Sequence, residues 1–386
     1  MSDQQDVSQQ IANRFRSLLI GLDTAKQDLP EDKDVELPDF LDQDRDGRQL
    51  LRVEKQAQRD KKLNERYYQN FLDKLQGQLN DEVRHRLAEQ LQDTEFLYSK
   101  LIGVPPHLAE VLDLMSVKAA SIGRIEPLVA TIPWLVQDLI KMVNMPKYRR
   151  TDKQGKVIPV ESLRMALSFL GLENLKLVIP SLVFRRWLPQ ITDPYPNIKL
   201  RLWEHAMGSA QSCKKVAELS GVDVQAAFTL GMFHEVGKIA VTRLYFRLFE
   251  EVRRDALREA HEAKMKEEHA ALSDVVPSGV ALQDLMAKSA LNISYLLLDK
   301  MAFQRLSMAS AMQEVAQDKP LKEMSALAQV LVQGRSYNQY RMLKSARLIN
   351  IEEAKAFLRG LMMPPGALSA LKLADLRHLN LTFDEN

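Results

Sequence analysis

Between Trp203 and Ala240 the chain carries two helical patterns whose faces are built mainly from small residues, and this pairing restricts the fold more than any other stretch. In the first, Leu202, His205, Ser209, Ser212 and Val216 fall near one face, with Ala206, Ala210, Cys213 and Ala217 beside it. The second answers with Ala226, Ala227, Leu230 and Gly231 before reaching His234 and Glu235, and Asp223, just after Gly221, suits its N-cap. Small residues let neighbouring helices approach closely. The expectation is a tight helix pair that sets His205 across a seam from His234 and Glu235.

The rest of the chain reads as helix too, because long Val/Ile alternation is absent. Val7, Ile11, Phe15, Leu18 and Leu22 lay an apolar stripe along a first amphipathic helix. That stripe is too narrow for full burial in a large core, so it is expected to meet a copy of itself or a partner helix. From Asp23 to Asp46 acids dominate, and Pro30 and Pro38 oppose regular structure. One helix is then expected from Arg48 to about Gln76 and, after Gly77 and Asn80, another from Asp81 towards Gly103. Pro105-Pro106 marks a boundary, beyond which short apolar helices follow one another. Gly171 divides two of them, and Pro180 kinks or ends the second. Three regions result: a helical N-terminal module over 1–104, for partner binding or dimerisation; a central helical domain over 105–345; and a C-terminal helical extension over 346–386.

Charge excludes some functions. The 53 basic and 51 acidic side chains leave a net charge of only +2, which argues against a generic nucleic-acid binder. Residues 1–100 hold 16 basic and 21 acidic residues, so the acidic excess lies in the N-terminal region and the basic excess beyond it. The single cysteine, Cys213, allows no disulfide framework. With no signal-peptide pattern and no uninterrupted apolar run of membrane-spanning length, the expected location is the cytoplasm. Phosphate-loop, dinucleotide, C-x-x-C and G-x-S-x-G motifs are all absent from the sequence.

A metal centre needs convergent imidazole and carboxylate groups, and His205, His234 and Glu235 offer them. Adjacent helical residues point about 100° apart, and glutamate reaches about 1.5 Å further than aspartate, so Glu235 is a displaced partner for His234. His261 and His269 are offset by about 80° on one helix, unlike an i,i+4 metal pair. Asp42, Asp44, Asp46 and Gly47 imitate the opening of a calcium loop, but Val53 stands where the bidentate glutamate belongs. The basic run Lys147–Lys156 is ordinarily a solvated connection; its functional reading is an anion contact through Lys147, Arg149 and Arg150.

Four phrases, in order V-N-M-P-x-Y, A-L-S-F-L-G-L-E-N-L, W-x-H-x3-S-A and G-M-F-H-E-V-G-K-I, together resemble the HDOD domain, a signalling relative of the HD-domain metal phosphohydrolases. The resemblance covers roughly residues 107–345. It implies an all-α, HD-like helical bundle whose site has generally lost its metal ligands. By position, His205 matches the first HD histidine, His234-Glu235 matches the His-Asp doublet, and Lys238 matches the lysine that follows it. The downstream stretch Ser289–Lys300 holds no histidine, and neither Asp284 nor Asp299 lies in an identifying motif. The resemblance therefore implies a non-enzymatic regulatory scaffold of bacterial type with a vestigial HD site, no metal or other cofactor, and a signalling or regulatory protein as partner, with a homodimer also open. Nucleic acid and membrane are not expected partners. The alternative is an active metal-dependent phosphohydrolase acting on a phosphoester or nucleotide, with a divalent transition metal on His205, His234 and Glu235.

Overall fold

The computed structural model describes residues 2–27, 52–117, 119–151 and 157–382. The calcium-like stretch Asp42–Gly47 and the end of the basic loop, 152–156, lie outside them. Among the described residues the fold is all-α apart from an antiparallel ribbon of two two-residue strands, β1 (Arg150–Thr151) with β2 (Val157–Ile158), in which Arg150 faces Ile158. The helices that build the candidate site, or pack against those that do, are α1 (Ser2–Ile20), α2 (Arg52–Gln90), α3 (Leu163–Trp187), α4 (Ile198–Ser220), α5 (Val224–Phe233), α6 (Val236–Glu262), α7 (Gly279–Lys300), α8 (Ala326–Ser345) and α9 (Ile351–Gly360).

Helix α4 lies between α5 and α8, and the small-residue faces do what their composition predicts. A Cβ added at Gly231 of α5 would stand 2.8 Å from the Cα of Ala210 in α4, so these two helices touch backbone to backbone. Gly221 ends α4 with φ 68°, and the Asp223 side chain accepts the Ala226 N–H at 2.6 Å to start α5. Helix α6 packs on α7 and α2. Gly171, with φ 68° and ψ 164°, breaks α3 where the sequence places a turn, whereas the chain stays helical through Pro180 to Trp187. Among the described residues α3 is the one helix long and apolar enough to cross a membrane, and most of its apolar stretch is buried inside the fold.

Two expectations are corrected. Residues 52–90 form one continuous helix, with no break at Gly77 or Asn80. Burial of Leu75, Leu79, Val83 and Leu87 and the bond that Tyr245 Oη donates to Asn80 Oδ1 at 3.0 Å outweigh the roughly 1 kcal/mol cost of an internal glycine. The α1 stripe does not wait for another chain either: Ile11, Phe15, Leu18 and Leu19 are buried against α4, α7, α8 and α9. A single apolar cluster runs from Ile11 to Leu376 and takes in residues of all three regions drawn from the sequence.

Candidate functional site

His205 projects from the middle of α4, while His234 and Glu235 stand at the junction of α5 and α6. That junction removes the 100° problem. Glu235 has φ −91° and ψ 1°, between two helices rather than within one, so consecutive side chains can converge. His234 Nε2 lies 3.1 Å and His205 Nε2 3.5 Å from the same oxygen, Glu235 Oε1. The two imidazole centroids are 5.4 Å apart. Among the described residues this is the group of three or more His, Cys, Asp or Glu side chains that could converge on a metal ion.

The neighbours decide which nitrogen carries each proton. His234 Nδ1 stands 2.8 Å from the Gly231 carbonyl, an acceptor, so it holds a proton and turns Nε2 towards Glu235. His205 is wired the opposite way. Its Nδ1 faces Asn338 Nδ2 at 3.2 Å and Ser209 Oγ at 3.5 Å. The amide cannot be turned round, because Asn338 Nδ2 also donates to the His205 carbonyl at 3.0 Å and Asn338 Oδ1 accepts from Arg341 Nε at 3.1 Å. Nδ1 of His205 is therefore an acceptor, and the proton of the neutral ring sits on Nε2, facing Glu235. Space for this amide exists only because residue 208 is glycine: a Cβ there would overlap Asn338 Oδ1.

Lys238, one turn into α6, completes the cluster. Its Nζ lies 2.9 Å from Glu235 Oε1 and 2.8 Å from Oε2. Phe15 of α1 closes the site from above, its ring centroid 4.5 Å from that of His205 and 5.3 Å from Lys238 Nζ. His205 and His234 are at most 1 % exposed and Glu235 is 3 % exposed. Burial pushes the His205 imidazolium down to about 4 against the opposing pull of Glu235, so the ring is neutral near pH 7. Burial alone would raise the Glu235 carboxyl, but the Lys238 ammonium and the two imidazoles hold it well below the usual carboxylate range. Burial also lowers Lys238, with Glu235 opposing.

These residues do not fit a metal ion as they stand. His234 is oriented as a ligand, but His205 presents an N–H where a metal needs a lone pair, and an ammonium already bridges the carboxylate. No described downstream acid joins them: Asp284 is exposed beside Arg84, Asp274 accepts from Tyr68, and Asp299 is exposed. The rings of His261 and His269 come within 6.0 Å of each other across the turn after α6, in a different part of the fold. Lys147 and Arg149 are exposed on the loop before β1, with Lys147 Nζ 5.3 Å from the centroid of the Tyr148 ring; the side chain of Arg150 lies outside the described residues. Asn338 and Phe15 are the contributors that residue spacing did not single out as parts of the site.

Residues 101–283 match the family model of the HDOD domain. Among solved structures, an HDOD domain protein of unknown function from Geobacter sulfurreducens aligns at 16% identity with a TM-score of 0.45, over 75% of this chain and 94% of its own. A protein from Marinobacter aquaeolei VT8, described as a candidate signal transduction protein, aligns at 17% identity with a TM-score of 0.42, over 76% of this chain and 66% of its own. No curated protein sequence matches the chain.

Proposed function

Residues 101–283 of this chain are an HDOD domain, and from that premise we propose that the protein is a non-catalytic signal-transduction scaffold, acting by protein–protein contact, whose HD-type site serves packing rather than hydrolysis. The carrying observation is the wiring of His205. A hydrolase of this architecture needs a metal held by both imidazoles, and Asn338 directs a donor at the nitrogen that would have to carry the proton. Enclosure supports the same reading, since Phe15 covers the site and a phosphoester would have no approach to Glu235 while α1 is docked.

The exposed face of α2 is the surface we assign to the partner. Residues 56–70 are exposed throughout, with Leu63 at 66% and Tyr67 at 76% separated by one helical turn. Large apolar side chains paired on an otherwise charged helix suit a protein contact better than a small molecule.

The test is turnover. Purified protein offered p-nitrophenyl phosphate, bis-p-nitrophenyl phosphate and cyclic dinucleotides with manganese, iron, zinc or magnesium should release no product. Hydrolysis that disappears in His234→Ala would overturn the proposal. The alternative, a metal-dependent phosphohydrolase, draws on one observation: His234 is already oriented as a ligand, with its Nε2 3.1 Å from Glu235 Oε1.

A further inference from the structure

We propose that the ammonium of Lys238 is the resident cation of this pocket, and that it and the Asn338 amide together keep a divalent metal ion out of the His205–His234–Glu235 donor set. The inference deepens the non-catalytic reading and rests on it. It starts from charge. Glu235 is a buried carboxylate, and a buried charge persists only when paired. Its partner is Lys238 Nζ, within 2.9 Å of both oxygens. The pair sets one positive charge against one negative, so the carboxylate has no excess negative charge with which to attract an ion. A dication added there would be uncompensated. The same carboxylate without its ammonium becomes an unpaired anion beside two imidazoles, which is the donor chemistry that takes zinc or a similar ion.

Geometry adds the second barrier. For His205 Nε2 to bind a metal, the ring proton must move to Nδ1, where it would meet the N–H of Asn338 at 3.2 Å and have only the more distant Ser209 hydroxyl, at 3.5 Å, as an acceptor. Asn338→Asp exchanges that donor for a carboxylate, the arrangement that orients metal-bound histidines. Lys238→Met keeps the aliphatic stem under Phe15 and removes the charge. Each change addresses one barrier, so the two should act together.

The experiment is equilibrium dialysis against zinc at micromolar free concentration, with metal counted per chain and Tm recorded with zinc and with EDTA. Wild-type protein should take up no stoichiometric zinc, and its Tm should be the same in both. Lys238→Met should bind zinc at least tenfold more tightly than wild type. Lys238→Met/Asn338→Asp should bind about one equivalent, at least tenfold more tightly again, with a Tm that rises in zinc, and a further His234→Ala should abolish it. Asn338→Asp alone, retaining the ammonium, should bind none. If both Lys238 variants fold, as judged by circular dichroism, and bind no more zinc than wild type, the inference is wrong while the non-catalytic reading stands. One equivalent of zinc on the wild type, lost in His234→Ala, would overturn the inference even if every Lys238 variant failed to fold. Phosphoester turnover, in contrast, would count against the function proposed above.

Discussion

At the scale of single residues, the pocket is governed by where protons sit. His205 has a folded-state pKa of about 4, lowered by burial, against about 6.5 for a free imidazole. The unfolded chain therefore binds more protons than the folded one between those values, and stability must fall as pH falls through that window. The stabilisation is complete above about pH 6.5 and is lost progressively towards pH 4, a difference of about 3 kcal/mol. Glu235, depressed below its ordinary value, adds a loss of the same sign further into acid. Urea midpoints between pH 4.5 and 7 should show the slope, and His205→Gln should flatten it. A second change tests the support behind the ring. In Gly208→Ala the new methyl meets Asn338 Oδ1, which cannot move without releasing Arg341 and the His205 carbonyl, so a loss of about 2–4 kcal/mol is expected from denaturant melts. The histidines were legible because they sit on two adjacent small-faced helices. Asn338 was not, since one buried amide 133 residues further on leaves no periodic mark in a sequence.

Elements show where local reading stops. The α1 stripe was readable as a buried face, because apolar residues at spacings of three and four can mean little else. What it would be buried against was not, since periodicity names a face and not the surface opposite. The structure supplies that surface: Phe15 on His205, and Arg14 in a two-point ion pair with Glu353 of α9 at 2.8 Å from each oxygen. Phe15→Ala should cost about 3–5 kcal/mol in denaturant melts, the range for a buried aromatic ring. Phe15→Leu should recover most of it, and a Phe15→Leu protein as unstable as Phe15→Ala would mean that packing is not what the ring provides. Helix α2 teaches the converse. Gly77 and Asn80 looked like punctuation, yet tertiary burial on one side carries the helix across both.

For the molecule as a whole, the question is whether the stretch before Pro105 is a module or part of the body. Composition suggested a module, because the acidic excess is confined to the first 100 residues. The apolar contacts follow a different boundary: Ile11, Phe15, Leu18, Leu79, Val83 and Leu87 belong to the same cluster as α4 to α8. Surface charge reports on the solvated side of a helix and carries no information about what its other side covers. Cys213 makes the consequence measurable. Its thiol is fully buried at the seam of α4 and α8, 3.5 Å from the Val330 carbonyl, and burial pushes its pKa up to about 12, so it is inert in the intact fold. A chain beginning at residue 105 would uncover the surfaces that α1 and α2 protect, and we expect it to expose hydrophobic dye sites and to react with an aromatic disulfide reagent without denaturant. The full-length protein should react only as its helical signal is lost, with the two midpoints coinciding. If the shortened chain kept Cys213 unreactive and melted cooperatively at the full-length temperature, the first hundred residues would be an appended module after all, and the burial of Phe15 would be incidental to the stability of the bundle.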